Sequence, residues 1–219
     1  TRLQDIVRHR KLVLPQLGAP GVAAHEVKQR SGFKVEYGPV RATDLPDYLK
    51  THRATPEMRQ MRFTLRDRLP LIPVELVGVL LPMMIAAVIL YFLGGFLTFL
   101  AVVAAILAGV VIFPILLPYL PTGDFSTKGF LLGGLVALPF ALLTFFSHNP
   151  DTSFWRQVSG ALTNMLVWPP LTAFIALNFT GSTTFTSRSG VRREIFRYIP
   201  IMAWIFGAGI VLAIVRILI

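Results

Sequence analysis

The chain has 219 residues, 54% of them apolar, with a mean hydropathy of +0.64 and a formal net charge of +10. That apolar share excludes an ordinary water-soluble domain and an intrinsically disordered chain. The absence of cysteine excludes any disulfide, iron–sulfur cluster or thiolate ligand built from these residues alone.

The first 69 residues are basic and of mixed polarity, whereas the stretch from Pro70 onward is almost wholly apolar. Leu3, Ile6 and Val7 share a face of a helix-like opening that ends near Arg8. It has no apolar core of a signal peptide, and with Thr at position 1 the chain reads as a piece lacking its natural N-terminus. Lys11 to Leu17 predicts a strand, Gly18 to Gly21 a loop, Val22 to Arg30 a helix closed by Ser31 and Gly32, and Phe33 to Tyr37 a second strand. After Gly38 and Pro39, Thr43 is expected to cap a last helix ending near Lys50. Strands alternating with helices predict parallel pairing through a crossover helix. Two strands cannot bury both faces of a doubly wound sheet. Residues 1–53 are therefore expected to be the C-terminal α/β portion of a Rossmann-like domain.

In such sheets ligands sit beyond the carboxyl ends of the strands. Gln16, Leu17, Gly18, Ala19, Pro20, Gly21 and Val22 follow the first strand, and Gly38, Pro39, Val40 and Arg41 follow the second. Gly18 and Gly21 would let the backbone approach a large ligand, and Gln16 offers hydrogen bonds to amide groups on its rim. Spacing alone favours ordinary strand-to-helix turns with Pro20 near a helix start. Neither a GxGxxG nor a Walker pattern is present.

The run Leu12-Val-Leu-Pro-Gln-Leu-Gly-Ala-Pro-Gly-Val-Ala-Ala-His-Glu-Val-Lys28, with Ser31-Gly-Phe-Lys-Val-Glu-Tyr-Gly-Pro-Val40 and Asp44-Leu-Pro-Asp-Tyr-Leu49, resembles the end of the corrinoid-binding domain of the corrinoid iron–sulfur protein family. Followed by several hydrophobic spans, it is most similar to the mercury-methylating branch of that family. The resemblance implies a cobalamin-type corrinoid whose cobalt carries a methyl group to Hg(II). It also implies electrons from a ferredoxin-like partner with two 4Fe-4S clusters. It carries over to Gln16, Leu17, Gly18, Ala19, Pro20, Gly21 and Val22, and to Gly38 and Pro39, as corrinoid neighbours. The family's cobalt-facing Cys, on a cap helix with an Asn-Val-Trp-Cys-type run, has no counterpart among these residues, so this chain alone is expected not to catalyse.

Residues 54–69 form a basic connector. Thr55 as N-cap, Pro56 at the first helical position and Glu57 in the first turn predict a helix with Met58, Met61, Leu65 and Leu69 on one face. Its arginines suit either a helix lying on anionic lipid or a plain basic flank of a membrane span. Nucleic acid is not expected as a partner, because no RNA- or DNA-binding signature accompanies the basic residues.

Residues 70–219 predict five transmembrane helices: Leu71 to Leu93, Phe96 to Leu120, Gly129 to Phe146, Gln157 to Phe179 and Tyr198 to Leu218. Arg188, Arg192, Arg193 and Arg197 fall between the last two, whereas the loop from Ser147 holds His148, Asn149 and the single Arg156. This bias predicts a cytoplasmic N-terminal part and an outside C-terminus. Glu75 reads as an interfacial cap and Asn164 as a bond between helices. Pro82, Pro114, Pro139, Pro169 and Pro170 are expected to kink their helices. Ala101, Ala105 and Gly109, with Ala203 and Gly207, predict close helix contacts, and Tyr119, Trp155, Trp168 and Tyr198 an aromatic belt. His25 and His148 lack the spacing of metal ligands.

The sequence thus predicts a membrane-anchored, corrinoid-dependent methyltransferase of the inner cell membrane that makes methylmercury. Its rival is a membrane transporter or channel with a small cytoplasmic regulatory domain. A corrinoid methyl carrier of acetyl-CoA metabolism is a further alternative, against which the spans weigh.

Overall fold

The computed structural model describes residues 3–61, 63–146, 153–182 and 188–218. The chain divides into two units, Thr1–Arg62 and Phe63–Ile219.

In the first unit α1 (Leu3–Ile6) precedes β1 (Lys11–Leu14), and α2 (Ala24–Ser31) links β1 to β2 (Lys34–Tyr37). The strands pair in parallel, Lys11 opposite Lys34 and Leu14 opposite Tyr37, as the alternation of elements predicts. The Gly38 amide continues the ladder by donating to the Leu14 carbonyl at 2.8 Å. Gly32 ends α2 in the left-handed conformation, φ 74°, which a side chain would strain. Two lysines opposite each other repel, and Glu36 relieves them with carboxylate contacts to Lys11 at 3.3 Å and Lys34 at 3.4 Å. Phe33, Val35 and Tyr48 are the buried centre of this unit.

Thr43 does not cap the last helix. A 3-10 turn at Ala42–Asp44 runs into α3 (Leu45–Thr51), whose N-cap Asp44 makes no capping bond. The expected connector helix is likewise absent. Thr55 accepts the Met58 amide at 3.3 Å, but only a 3-10 turn, Glu57–Arg59, follows before Gln60 turns extended. The effective cap is Thr64, in a reciprocal capping box with Asp67 that starts the short α4 (Leu65–Arg68). Met58 and Met61 therefore do not share a helical face with Leu65 and Leu69.

The second unit is a bundle of long apolar helices. Among the described residues four apolar helical stretches are long enough to cross a bilayer: Leu65–Leu116, Phe125–Phe145, Phe154–Gly181 and Ser189–Arg216. They contain α5 (Leu71–Leu107), a π-turn at Ala108–Ile112, α6 (Phe113–Leu116), α7 (Phe125–Phe145), α8 (Phe154–Asn178) and α9 (Arg188–Leu218). The first stretch is not straight. Gly95 has φ 77° and ψ −173° inside α5, a conformation open essentially to glycine alone. Arg68 then reaches the Pro114 carbonyl, 46 positions away, at 2.6 Å. A continuous helix would hold those residues about 69 Å apart, so the chain doubles back at Gly95.

Met83 and Ala87 before the turn share one core with Ala101, Val102, Ala105 and Ile106 after it, and with Val167 and Trp168 of α8. Closest approach lies between α7 and α8. A Cβ on Gly129 would stand 2.6 Å from the Ala173 Cα, and one on Gly133 2.7 Å from the Pro169 Cα. The small-residue prediction holds at Ala101, Ala105 and Gly109 but not at Ala203, which is exposed, or Gly207, which has open space; Gly209 makes the contact in α9. Pro82, Pro139, Pro169 and Pro170 lie within helical backbone, and the break falls at Gly95 instead. Pro114 follows the π-turn, which opens the helix ahead of a residue that cannot donate to the preceding turn. Trp168 is buried rather than in a belt, whereas Trp155 and Tyr119 are exposed. Arg192, Arg193 and Arg197 lie inside α9, which starts ten residues before the expected Tyr198. His148 and Asn149 lie outside the described residues.

Candidate functional site

The predicted corrinoid neighbours separate into two groups. Gln16, Leu17 and Gly18 form a 3-10 turn directly after β1, and Gly21 closes it by donating to the Gly18 carbonyl at 3.0 Å. The turn is tethered at its far end, where the Tyr37 hydroxyl donates to the Val22 carbonyl at 2.6 Å. Neither Gly18 nor Gly21 needs a left-handed backbone, and a Cβ at Gly18 would meet nothing within 4 Å. These glycines answer no internal packing demand. Gly38 and Pro39, in contrast, are buried within the unit. A Cβ on Gly38 would press on Val13 at 2.9 Å and on Tyr48 at 3.5 Å, so this glycine serves the unit's own core.

A second concentration of polar groups lies where the chain passes from α6 into α7. Pro118 and Pro121 have no N–H, so the carbonyls of Pro114 and Leu117, four residues earlier, lose their regular helical donors. Arg68 donates to Pro114 at 2.6 Å and to Ile115 at 3.2 Å, and Lys128 donates to Leu117 at 2.8 Å. Cations also suit the negative end of a helix dipole. At the start of α7 the Asp124 carboxylate is engaged elsewhere, accepting from the Tyr198 hydroxyl at 2.8 Å and lying 3.6 Å from Arg193. The buried Glu194 takes the capping role instead, accepting from the Ser126 amide and hydroxyl, both at 3.0 Å. Among the described residues no buried side-chain nitrogen or oxygen lacks a partner, and the contacts of this cluster close helix ends. Sequence reading placed these arginines as a flank; the prolines four residues after Pro114 and Leu117 were the signal available for a buried cation.

The opposite ends of α7 and α9 meet the Gly95 turn and the start of α8 around a cavity of about 660 Å³. Arg156 and Arg216 line it, with Thr144, Gln157 and Asn164 among the polar groups. Asn164 is fully engaged: it donates to Thr144 at 3.1 Å and to the Gly160 carbonyl at 3.0 Å, and accepts from the Trp168 ring N–H at 2.7 Å. It ties α8 to α7, as the sequence predicts. Glu75 sits half-buried beside Asn178 and the π-turn, around a void of about 40 Å³. Among the described residues no three His, Asp or Glu side chains gather as a metal site.

No protein-family model, curated protein or solved structure matches the chain.

Proposed function

We propose that this chain is part of a membrane-anchored, corrinoid-dependent methyltransferase that passes a methyl group to Hg(II). The reading rests chiefly on the Pro15-Gln-Leu-Gly-Ala-Pro-Gly21 loop standing at the carboxyl end of β1 in a parallel strand–helix–strand unit, the place where ligands of open α/β sheets bind. Gln16 to Val22 would flank the macrocycle, with open space at Gly18 admitting its edge and Gln16 reaching its amides. Gly38 and Pro39 support that shelf from within. A bound corrinoid supplies the cobalt that carries the methyl group. The chain's own residues provide one wall and the membrane attachment, while the cobalt-facing thiolate must come from elsewhere, since no cysteine is present.

Counted on either side of Gly95, the bundle crosses the membrane five times. The arginines of the connector and of the first part of α9 then face the cytoplasm, and Arg156 and Arg216 face outward. A ferredoxin-like protein with two 4Fe-4S clusters would approach the cytoplasmic face to deliver electrons.

The test is corrinoid occupancy of the natural polypeptide that contains this chain, read from its visible absorption. Gly18→Val adds bulk where the macrocycle edge enters, and about tenfold weaker binding is expected for a clash of the usual size. Membrane insertion should be unchanged. Equal occupancy in wild type and variant would reduce the loop to a simple turn.

A further inference from the structure

We propose that the cavity between the Gly95 turn, the end of α7, the start of α8 and the end of α9 is a binding site for a phosphate-bearing anion, held by Arg156 and Arg216. Both side chains line one cavity of about 660 Å³, and among the described residues no Asp or Glu lines it. That volume falls in the roughly 300–1,000 Å³ range of small-ligand sites. Its remaining wall is largely apolar, from Leu90, Leu93, Leu97, Leu143 and Ile210. Both guanidinium groups belong to the lining of this one cavity, Arg156 exposed and Arg216 half-buried. Two cations lining one partly apolar space repel each other, and an anion between them removes that cost.

The fold makes room for this arrangement. Arg216 lies across Gly160, where a Cβ would stand 2.6 Å from the Thr144 Cγ2 and 2.7 Å from the Arg216 Nη1, so glycine leaves space between Thr144 and the guanidinium. Gln157 lies one turn from that glycine on α8. The engaged Asn164 does not compete for the ligand but fixes the α7–α8 wall. Guanidinium pairs match phosphate oxygens in a fixed fork, which a simple cationic anchor does not require. The cavity sits at the helix ends, so its phosphate comes either from a lipid headgroup at the membrane edge or from a free phosphate in water.

The 219-residue chain in nanodiscs tests this with two probes. The first is phosphatidylglycerol retained after exchange into phosphatidylcholine, counted by native mass spectrometry. The second is inorganic phosphate titrated calorimetrically in pure phosphatidylcholine. Binding of either is expected to fall about tenfold in Arg156→Gln and in Arg216→Gln, one charge-assisted contact each, and to stay unchanged in the control Arg192→Gln. Retention of lipid without phosphate binding assigns the headgroup, and the reverse assigns the free anion. Should a Gln variant fail to fold, Arg156→Lys keeps the charge, loses the fork and is expected to bind more weakly than wild type. Wild-type protein that binds neither probe overturns the proposal, as does binding unaltered by the arginine variants; the side chains are then interfacial anchors only.

Discussion

At the scale of single residues, the bundle is governed by where backbone groups lose their regular partners. Arg68 is buried because Pro118 deprives the Pro114 carbonyl of a donor, and the guanidinium replaces it at 2.6 Å. Arg68→Met should destabilise the bundle by about 2–3 kcal/mol, the cost of orphaned buried carbonyls. Pro118→Ala returns an N–H to that carbonyl and should recover part of the loss. A double-mutant cycle in denaturant titrations checks this; strictly additive effects would show that the two positions are unconnected. Glu194→Ala should cost a similar amount, about 1–3 kcal/mol, by exposing the Ser126 amide and hydroxyl at the start of α7. In the first unit Glu36 is held below the ordinary carboxylate range, chiefly by its hydrogen bond with Lys11, with Lys34 adding to it. A depressed folded value means that its contribution is present above the ordinary carboxylate pKa and is lost as pH falls through the folded one. Carbon-detected NMR titration should place the Glu36 midpoint below that of an unperturbed glutamate, and Lys11→Met should raise it. Acid should loosen the β1–β2 pair in wild type more than in Glu36→Gln.

At the scale of elements, the strand–helix–strand order of the first unit was legible because alternation and glycine stops are local signals: β1, α2 and β2 fall within a few residues of their predicted bounds. The predicted end of the first span near Leu93 likewise coincides with the turn at Gly95. The prolines stay within helical backbone, whereas reversing the chain requires a backbone that only glycine adopts freely. Gly95→Ala should therefore cost about 1–3 kcal/mol, read as a lower thermal midpoint in detergent. The connector helix failed because its cap at Thr55 was sound while nothing sustained the turns after Arg59; the capping box at Thr64 and Asp67 competes and restarts the helix. The Gly129 and Gly133 pair was missed although its spacing is visible, since only the close approach to Ala173 and Pro169 distinguishes it from other small residues in the spans. Gly18 to Gly21 read correctly as a loop, whereas Gln16 and Leu17, expected to end the first strand, form a 3-10 turn after it, and Val22, expected to open the helix, precedes it. The role of Gly38 was not legible, because it depends on Val13 and Tyr48 from other elements.

For the whole molecule, the first unit and the bundle set separate demands. The bundle satisfies its backbone within helices and closes their ends with its own side chains, so it should insert without help. The first unit has a two-stranded parallel sheet with Phe33, Val35 and Tyr48 as its buried centre. Single-cysteine labelling should place Thr127 and Ser189 on the cytoplasmic side and Arg156 outside, and labelling of Ser189 from outside intact cells would reverse the orientation. The central claim is methyl transfer to Hg(II) by the polypeptide that completes this unit. It is tested most directly by methylmercury formation in membranes supplied with methylcobalamin, reductant and a ferredoxin-like partner. The natural polypeptide containing this chain should form methylmercury, while the 219-residue chain, which has no cysteine, should match the protein-free control. Methylmercury from the 219-residue chain above that control, or none from the natural polypeptide, would contradict the account.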